Sequence, residues 1–276
     1  MANKTYATIR VSTPRPNIAL VELHRPDALN AMNDQFFVDV QDCFSALHAD
    51  PDVRAIILAS AHPRLFTAGL DLKAVQSGML PQHEDIGRCG LLFMNLIDRW
   101  QRAFTAIDEC RAPVIAVVHG MCIGGGVDMI CSADMRVCTQ DASFSVKEVD
   151  LAMAADIGTL QRLPKIVGNQ STVREWALTG RTFSAAEAKD AGLVGHVVAD
   201  KKAAMDKAFE IAEIIASKSP IAINGTKVAL NYSRDHSVAD GLRQIAMWNA
   251  SQLQSQDVIM AAASVLTKQT PRFSKL

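Results

Sequence analysis

The sequence predicts an α/β protein that closes in a helical region. Short apolar runs of strand character alternate with helix-period segments up to about residue 200, and residues 201–265 are almost entirely helix-like. Glycine-rich turns stand directly between an apolar run and a helix start, as they do where a strand hands over to a helix. The chain has 276 residues and is 49% hydrophobic, enough for a sizeable core. It divides into a core domain over 1–200 and a helical region over 201–276, with no low-complexity linker and no fixed-period repeat.

The elements follow in order. TIRVS and NIALVELH (17–24) read as two strands joined by the turn signal Thr13-Pro14-Arg15-Pro16. RPDALN (25–30) is a loop, and Asn33 is placed to cap a helix through FFVDVQDCFSAL. Residues 53–58 are a buried strand, and 86–109 a long helix. Residues 113–118 form another continuous apolar strand, with the glycines just after it; 135–138 and 143–146 are further short strands. Residues 184–187, Ser-Ala-Ala-Glu, make a capping box for a helix that Gly192 ends.

Composition removes several function classes. Net charge is −1 with no basic stripe, which argues against extended nucleic-acid binding. The six cysteines show no CxxC or Cys/His ligand spacing, so they read as free buried thiols in a reducing compartment rather than a zinc site. No run approaches the ~18 apolar residues of a membrane span, and MANKTYATIRVS lacks the apolar stretch of a secretory leader. The closing Ser274-Lys275-Leu276 matches a receptor-read peroxisomal address, so a peroxisomal import receptor is an expected partner and the peroxisome the expected location.

The chemistry centres on MCIGGGVDMIC (121–131), where three glycines interrupt a run that otherwise reads as core. A strand, a glycine turn and a helix start aim backbone N–H groups at one spot, and the helix dipole adds positive potential there. A phosphate or a developing oxyanion suits such a place, while close packing of helix on strand is the plainer explanation. Neither G-x-x-x-x-G-K-[ST] nor G-x-G-x-x-G is present. Gly69, in Phe66-Thr67-Ala68-Gly69-Leu70-Asp71-Leu72, leads into a second helix start. Two such turns can point two N–H groups at one oxygen, the layout of an oxyanion hole.

Three acids stand out: Asp128, Glu148 and Asp156. Each also has an ordinary explanation: a first-turn acid for Asp128, a loop acid paired with Lys147 for Glu148, a helix N-cap for Asp156. Asp156, in LAMAADIGTL, has the most apolar flanks, and Asp150 could stand in for Glu148. G-x-S-x-G is absent, the histidines are scattered, and His119 reads as structural.

Taken together, HGMCIGGGVDMICSADMRVCTQDASFSVKEVDLAMAADIGTLQRLPKIVG (119–168), RPDALNAMN (25–33), FTAGLDL (66–72) and TGRTFSAAEAKDAGLV (179–194) resemble the enoyl-CoA hydratase/isomerase, or crotonase, superfamily over nearly the whole chain. Asp128 stands where the hydratases carry a glutamate, and the set Asp128, Glu148 and Asp156 is similar to that of the dienoyl-CoA isomerases. The resemblance implies a spiral of ββα units with C-terminal helices that build a homotrimer, two of which can stack into a hexamer. It implies oxyanion donors at Leu70 and Gly125. The implied acyl-CoA contacts are at Ala28, Leu29, Ala68, Gly69, Leu70, Asp71, Leu72 and Gly125. The position of Asp27 is often basic in relatives, where the basic side chain helps with the CoA phosphates, and the acid here departs from that one contact.

The implied reaction moves a proton from C2 to C6 of a 3,5-dienoyl-CoA and gives the 2,4-diene. It needs no metal and no cofactor, coenzyme A being part of the substrate. C2 and C6 lie four bonds apart, so two acids are assigned: Glu148 to C2 and Asp156 to C6, with Asp128 tuning Glu148. The flanking Ala154, Ala155 and Ile157 are expected to raise the Asp156 pKa. Two other readings stay open: hydration of a 2-enoyl-CoA, and a non-catalytic acyl-CoA-binding subunit.

Overall fold

Strands that are apolar at every position bury both faces, and a parallel sheet accommodates them. Such a sheet forms the centre of the computed structural model, which describes residues 5–276. Residues 1–4, part of the segment read as lacking a leader, lie outside the described residues. Along the chain the strands are β1 (Ile9–Arg15), β2 (Ile18–Leu23), β3 (Ala55–Ser60), β4 (Val114–Val118), β5 (Met121–Ile123), β6 (Met135–Thr139), β7 (Ser143–Ser145), β8 (Phe183–Ser184) and β9 (His196–Val198). The helices of the first part are α1 (Asp34–Ala49), the single turn α2 (Leu72–Ala74), α3 (Ile86–Asp108), α4 (Gly125–Cys131), α5 (Thr159–Ile166), α6 (Gln170–Thr179) and α7 (Ala185–Asp190). After them come α8 (Lys201–Ala216), α9 (Pro220–Asp235), α10 (Val238–Gln252) and α11 (Gln256–Thr267).

The large sheet has six strands in the order β1-β2-β3-β4-β6-β9, parallel except for the β1–β2 pair. Strands β5, β7 and β8 make a second sheet, and an isolated bridge from Thr67 to Cys122 brings the loop after β3 to its edge. The chain therefore passes from large sheet to small sheet to helix repeatedly: β3, Thr67 and α2–α3; β4, β5 and α4; β6, β7 and α5. This is the expected winding of ββα units.

Alternate residues of the central strands face opposite layers. Ile56, Leu58, Val114, Ala116 and Val118 pack with Phe37 and Phe44 of α1 and Trp100 and Phe104 of α3. Phe37 stacks on Trp100 with centroids 4.7 Å apart. On the other face Ala55, Ile57, Ile115 and Val117 meet Ala204, Ala208 and Ala212, a small-residue stripe that lets α8 lie close to the sheet. Helix α8, expected with the helical tail, thus belongs to the core of the sheet.

One turn is displaced from its expected place. Strand β1 continues through Thr13-Pro14-Arg15 with a register irregularity between Ser12 and Arg15, and the chain reverses at Pro16-Asn17 instead. Proline tolerates an edge strand, where no ladder hydrogen bond is asked of it, and β1 is the sheet edge. The Asn33 cap, which accepts from Phe36 N–H at 3.1 Å, and the capping box at Ser184 and Glu187 stand as read.

Helix α9 is fastened to the core by the buried Lys227, whose Nζ donates to Asp134 Oδ2 at 2.8 Å. Beyond it α9–α11 expose large apolar residues, among them Leu230, Leu242, Met247, Leu253 and Leu266. The chain end lies along the core: Arg54 donates to the carbonyls of Phe273 and Ser274, and Lys275 pairs with Asp52 at 2.5 Å.

Candidate active site

Three stretches of backbone run side by side at one end of the sheets. The 28–32 stretch meets the 66–71 loop through Ala68 N–H to Leu29 O (3.1 Å), Met32 N–H to Gly69 O (2.8 Å) and Asp71 N–H to Met32 O (3.0 Å). The 66–71 loop meets β5 through Thr67 N–H to Met121 O (3.0 Å) and Ile123 N–H to Thr67 O (3.2 Å). Ala28, Leu29, Ala68, Gly69, Leu70 and Gly125 are thereby gathered into one neighbourhood. The N–H groups of Leu70 and Gly125 take no backbone acceptor among the described residues.

Polar residues that sequence reasoning passed over hold this seam. Asn30 is buried and donates from Nδ2 to Ser60 Oγ (2.8 Å) and to Phe66 O (2.9 Å). The buried Thr67 returns a hydroxyl to Asn30 O at 2.7 Å and accepts from Gly69 N–H at 3.1 Å. Asp71 caps α2 through Ala74 N–H at 3.1 Å and pairs with Arg25 at 2.9 Å, while Arg25 also reaches Ala31 O. These hydrogen bonds hold the Asp71 carboxyl below the usual carboxylate range against the opposing effect of its burial. Asp71 therefore braces the loop from behind. Asp27 and Leu72 are exposed at its rim.

The three glycines have separate reasons. Gly124 adopts φ 52° and ψ −120°, open in practice only to glycine, and a Cβ there would lie 3.1 Å from Glu148 Oε1. A Cβ on Gly125 would meet Met32 Sδ at 3.0 Å and Ile157 Cδ1 at 3.6 Å. One on Gly126 would fall 2.5 Å from Thr67 Cγ2, between the helix and the seam. Gly125 is kept small by the packing around it. Its Cβ direction points into packed side chains, and it is Gly124 that faces a carboxylate.

The acids converge beside this turn. Asp128, in the first turn of α4, is 0% exposed; its Oδ1 accepts from Thr159 N–H at 2.5 Å, and its Oδ2 has no partner among the described residues. Burial, and then the Glu148 charge, lift its pKa from 3.8 to about 7. Glu148 opens a one-turn 3-10 helix, Glu148–Leu151, just beyond β7, and its Oε2 is buried without a partner among the described residues. Its pKa is raised, first by burial, with the Asp156 charge adding to the rise. The Asp156 pKa is raised too, with burial of its carboxyl the cause, although the residue as a whole is exposed.

Two expectations about these acids change. Asp156 has not the most apolar setting; Asp128 has, because α4 is enclosed on every side whereas Ala154 is open to solvent. Nor is Asp156 an N-cap, since Gly158 takes that position in α5. Its backbone carbonyl accepts instead from Gln101 of α3 at 2.6 Å. Lys147 pairs with Asp150 at 2.5 Å rather than with Glu148, and the Asp150 carboxyl lies against the buried Gly180. His119 bonds His62 O at 2.8 Å and serves structure. All six cysteines are free, five of them buried.

A charged node stands behind Asp156. Asp108, buried at the end of α3, accepts from Arg162 of α5 at 3.2 Å and from Arg234 of α9 at 3.0 Å, and Asn231 adds a donor. Arg162 also reaches Thr105 and lies over Gly158. A cavity of about 360 Å³ opens here between Gln101, Ile157, Arg162 and Arg234.

The chain resembles known proteins along nearly its whole length. The family model described as enoyl-CoA hydratase/isomerase matches residues 14–275. The chain is 45% identical over 280 residues to the mitochondrial delta(3,5)-delta(2,4)-dienoyl-CoA isomerase of Rattus norvegicus, a match that covers 100% of this chain and 85% of the relative. It is 45% identical over 275 residues to the peroxisomal protein of the same name from Arabidopsis thaliana, covering 99% and 98%. Among solved structures, an enoyl-CoA hydratase from Bacillus anthracis superposes with a TM-score of 0.87 at 28% identity, over 97% of this chain and 99% of that one.

Proposed function

Since the chain belongs to the enoyl-CoA hydratase/isomerase family, we propose that it converts 3,5-dienoyl-CoA to 2,4-dienoyl-CoA, a step in the breakdown of unsaturated fatty acids. The observation that carries this reading is the meeting of three carboxyls, Asp128, Glu148 and Asp156, each with its pKa raised first by burial, beside a glycine turn whose Gly125 N–H takes no backbone acceptor among the described residues. The thioester oxygen lies between the N–H groups of Leu70 and Gly125. Glu148, ionised, takes the C2 proton. The electrons spread through the diene onto that oxygen as a dienolate, and Asp156, protonated, delivers its proton to C6. One proton leaves and one arrives, so neither a redox partner nor a separate cofactor enters the balance.

Each oxyanion donor contributes roughly 10²–10³ in rate. Each positioned acid or base adds roughly 10²–10⁴. The raised pKa of Asp156 keeps it a better donor near neutrality than an ordinary aspartate. A hydratase holds one water between two carboxylates. Asp128, 0% exposed and bonded to Thr159, is poorly placed to share one, which favours the isomerase.

The exposed apolar side chains of α9–α11 suit a homotrimer or a dimer of trimers. The Ser274-Lys275-Leu276 ending supports import into the peroxisome, a location given for the Arabidopsis relative while the rat relative is mitochondrial. Absorbance assays on 2-enoyl-, 3-enoyl- and 3,5-dienoyl-CoA esters test the reading. Turnover of the dienoyl ester is expected. Hydration of the 2-enoyl ester alone would make the protein a hydratase, and tight binding with no turnover would make it an acyl-CoA-binding subunit.

A further inference from the structure

Three buried oxygens of the site have no hydrogen-bond partner among the described residues: Asp128 Oδ2, Glu148 Oε2 and Thr159 Oγ1. Buried polar atoms are seldom left so, and each calls for an explanation. Two belong to acids already given roles. The third belongs to a residue that has none.

Thr159 is 0% exposed and is the first residue of α5. The preceding Gly158 has φ +136°, a conformation that side chains rarely adopt, and this bend turns the Thr159 N–H back toward α4. That N–H meets Asp128 Oδ1 at 2.5 Å. Arg162, tied to Asp108 and Thr105, covers Gly158 and keeps the bend in place. With its backbone fixed, the hydroxyl has one torsion left to turn. It lies beside the Asp128 carboxyl, near enough to lower that group's pKa, though outside hydrogen-bond geometry as it stands.

We propose that Thr159 is the positioning residue of Asp128: its backbone N–H pins Oδ1, and its hydroxyl turns to donate to Oδ2 when that carboxyl is ionised. The proposal rests on the reading of this site as an acid–base centre. A hydroxyl can give or receive a proton, so one side chain serves either state of its neighbour. The other groups that face the carboxyl supply no such donor. Glu148 and Asp156 are acids that repel it, and Cys122 of β5 and Cys131 of α4 are buried thiols held neutral by raised pKa values. The cations of α5 are engaged elsewhere, Arg162 with Asp108 and Thr105 and Lys165 with Asp235. The charge on Asp128 is thus balanced from the α5 side, and through it the basicity of Glu148 is set.

The test uses Thr159→Val, which keeps the backbone N–H and the side-chain volume and removes only the hydroxyl, with Thr159→Ser as the rescue. The Asp128 titration is followed by carbon NMR in substrate-free protein labelled at the aspartate carboxyls, its signal assigned by loss in Asp128→Asn. The valine variant should titrate above the wild-type midpoint by roughly one pH unit, the size expected for one hydrogen bond to a charged group. The serine variant should restore the midpoint. An unchanged midpoint in the valine variant would overturn the proposal. Should that variant not fold, Thr159→Ala answers the same question by the same titration. The readout needs no turnover, so a shifted midpoint in a protein inactive on 3,5-dienoyl-CoA would keep this proposal and remove the isomerase reading. In the active enzyme the pH–kcat profile should move with the midpoint while KM holds.

Discussion

Replacing Asp128 with asparagine should stabilise the fold at alkaline pH while it impairs catalysis. Asp128 is 0% exposed and its carboxyl pKa is lifted from 3.8 to about 7, chiefly by burial. Such a group binds more protons in the folded state than in the unfolded state between those two values. Its contribution to stability is complete below about pH 4 and is lost as pH rises through about 7. Each pH unit between 3.8 and about 7 is worth about 1.4 kcal/mol, so the loss reaches roughly 4 kcal/mol at most. Asparagine has no charge to desolvate. Its Oδ1 still accepts from the Thr159 N–H, and its amide is a donor in a place where Glu148 Oε2 and Thr159 Oγ1 lack one. The variant should match the wild type near pH 4 and exceed it near pH 8 by up to roughly 4 kcal/mol, a Tm difference of roughly 5–10 °C for a chain of this size. Urea and thermal unfolding of both proteins across that range is the assay. Parallel stability curves would refute the reasoning, because they would mean that Asp128 titrates alike in both states.

Gly124→Ala should cost about 1–3 kcal/mol in backbone strain and push Glu148 aside, with turnover falling about 100-fold; unchanged kcat would count against the Glu148 assignment. Gly125→Val should abolish turnover by crowding Met32 and Ile157 and misaiming the N–H, and near-normal activity would remove Gly125 from the oxyanion hole. Asp156→Asn should stop isomerisation yet let Glu148 exchange the C2 proton with D₂O, while Glu148→Gln should stop both. Mass spectrometry of the recovered substrate reads this, and the reverse pattern would exchange the two roles. Removal of Leu276 should leave activity intact and the protein in the cytosol; unchanged peroxisomal import would count against the address.

The strands within 53–58 and 113–118 were legible because a doubly buried parallel strand is written as an unbroken apolar run. The glycine turn and Glu148 were legible for a similar reason, being breaks in a local pattern. What a local pattern cannot carry is depth. The alanines around Asp156 suggested a buried acid, yet Ala154 lies in the open, and Asp128 is sealed by helices distant in sequence. Asn30 and Thr67 escaped notice for the same cause. Asn30 reaches Phe66, 36 residues away, and nothing in RPDALN indicates that one polar side chain there is the pin of the seam. Pro14 misled because a proline marks either a turn or a sheet edge, and only the strand order decides between them.

The node at Asp108 has a meaning for exchange of parts between relatives. Arg162 approaches it from the segment that carries Asp156 and Thr159, while Arg234 and Asn231 approach it from α9. A chimera that takes its last helices from another member of the family would bring foreign partners to a buried carboxylate that stands seven residues along α3 from Gln101, whose side chain holds the Asp156 carbonyl. The natural crossover point for grafting is therefore not the visible boundary between sheet and tail. A graft that keeps the acids in register must carry Asn231 and Arg234 with the catalytic part, or import Asp108 and Arg162 along with the tail.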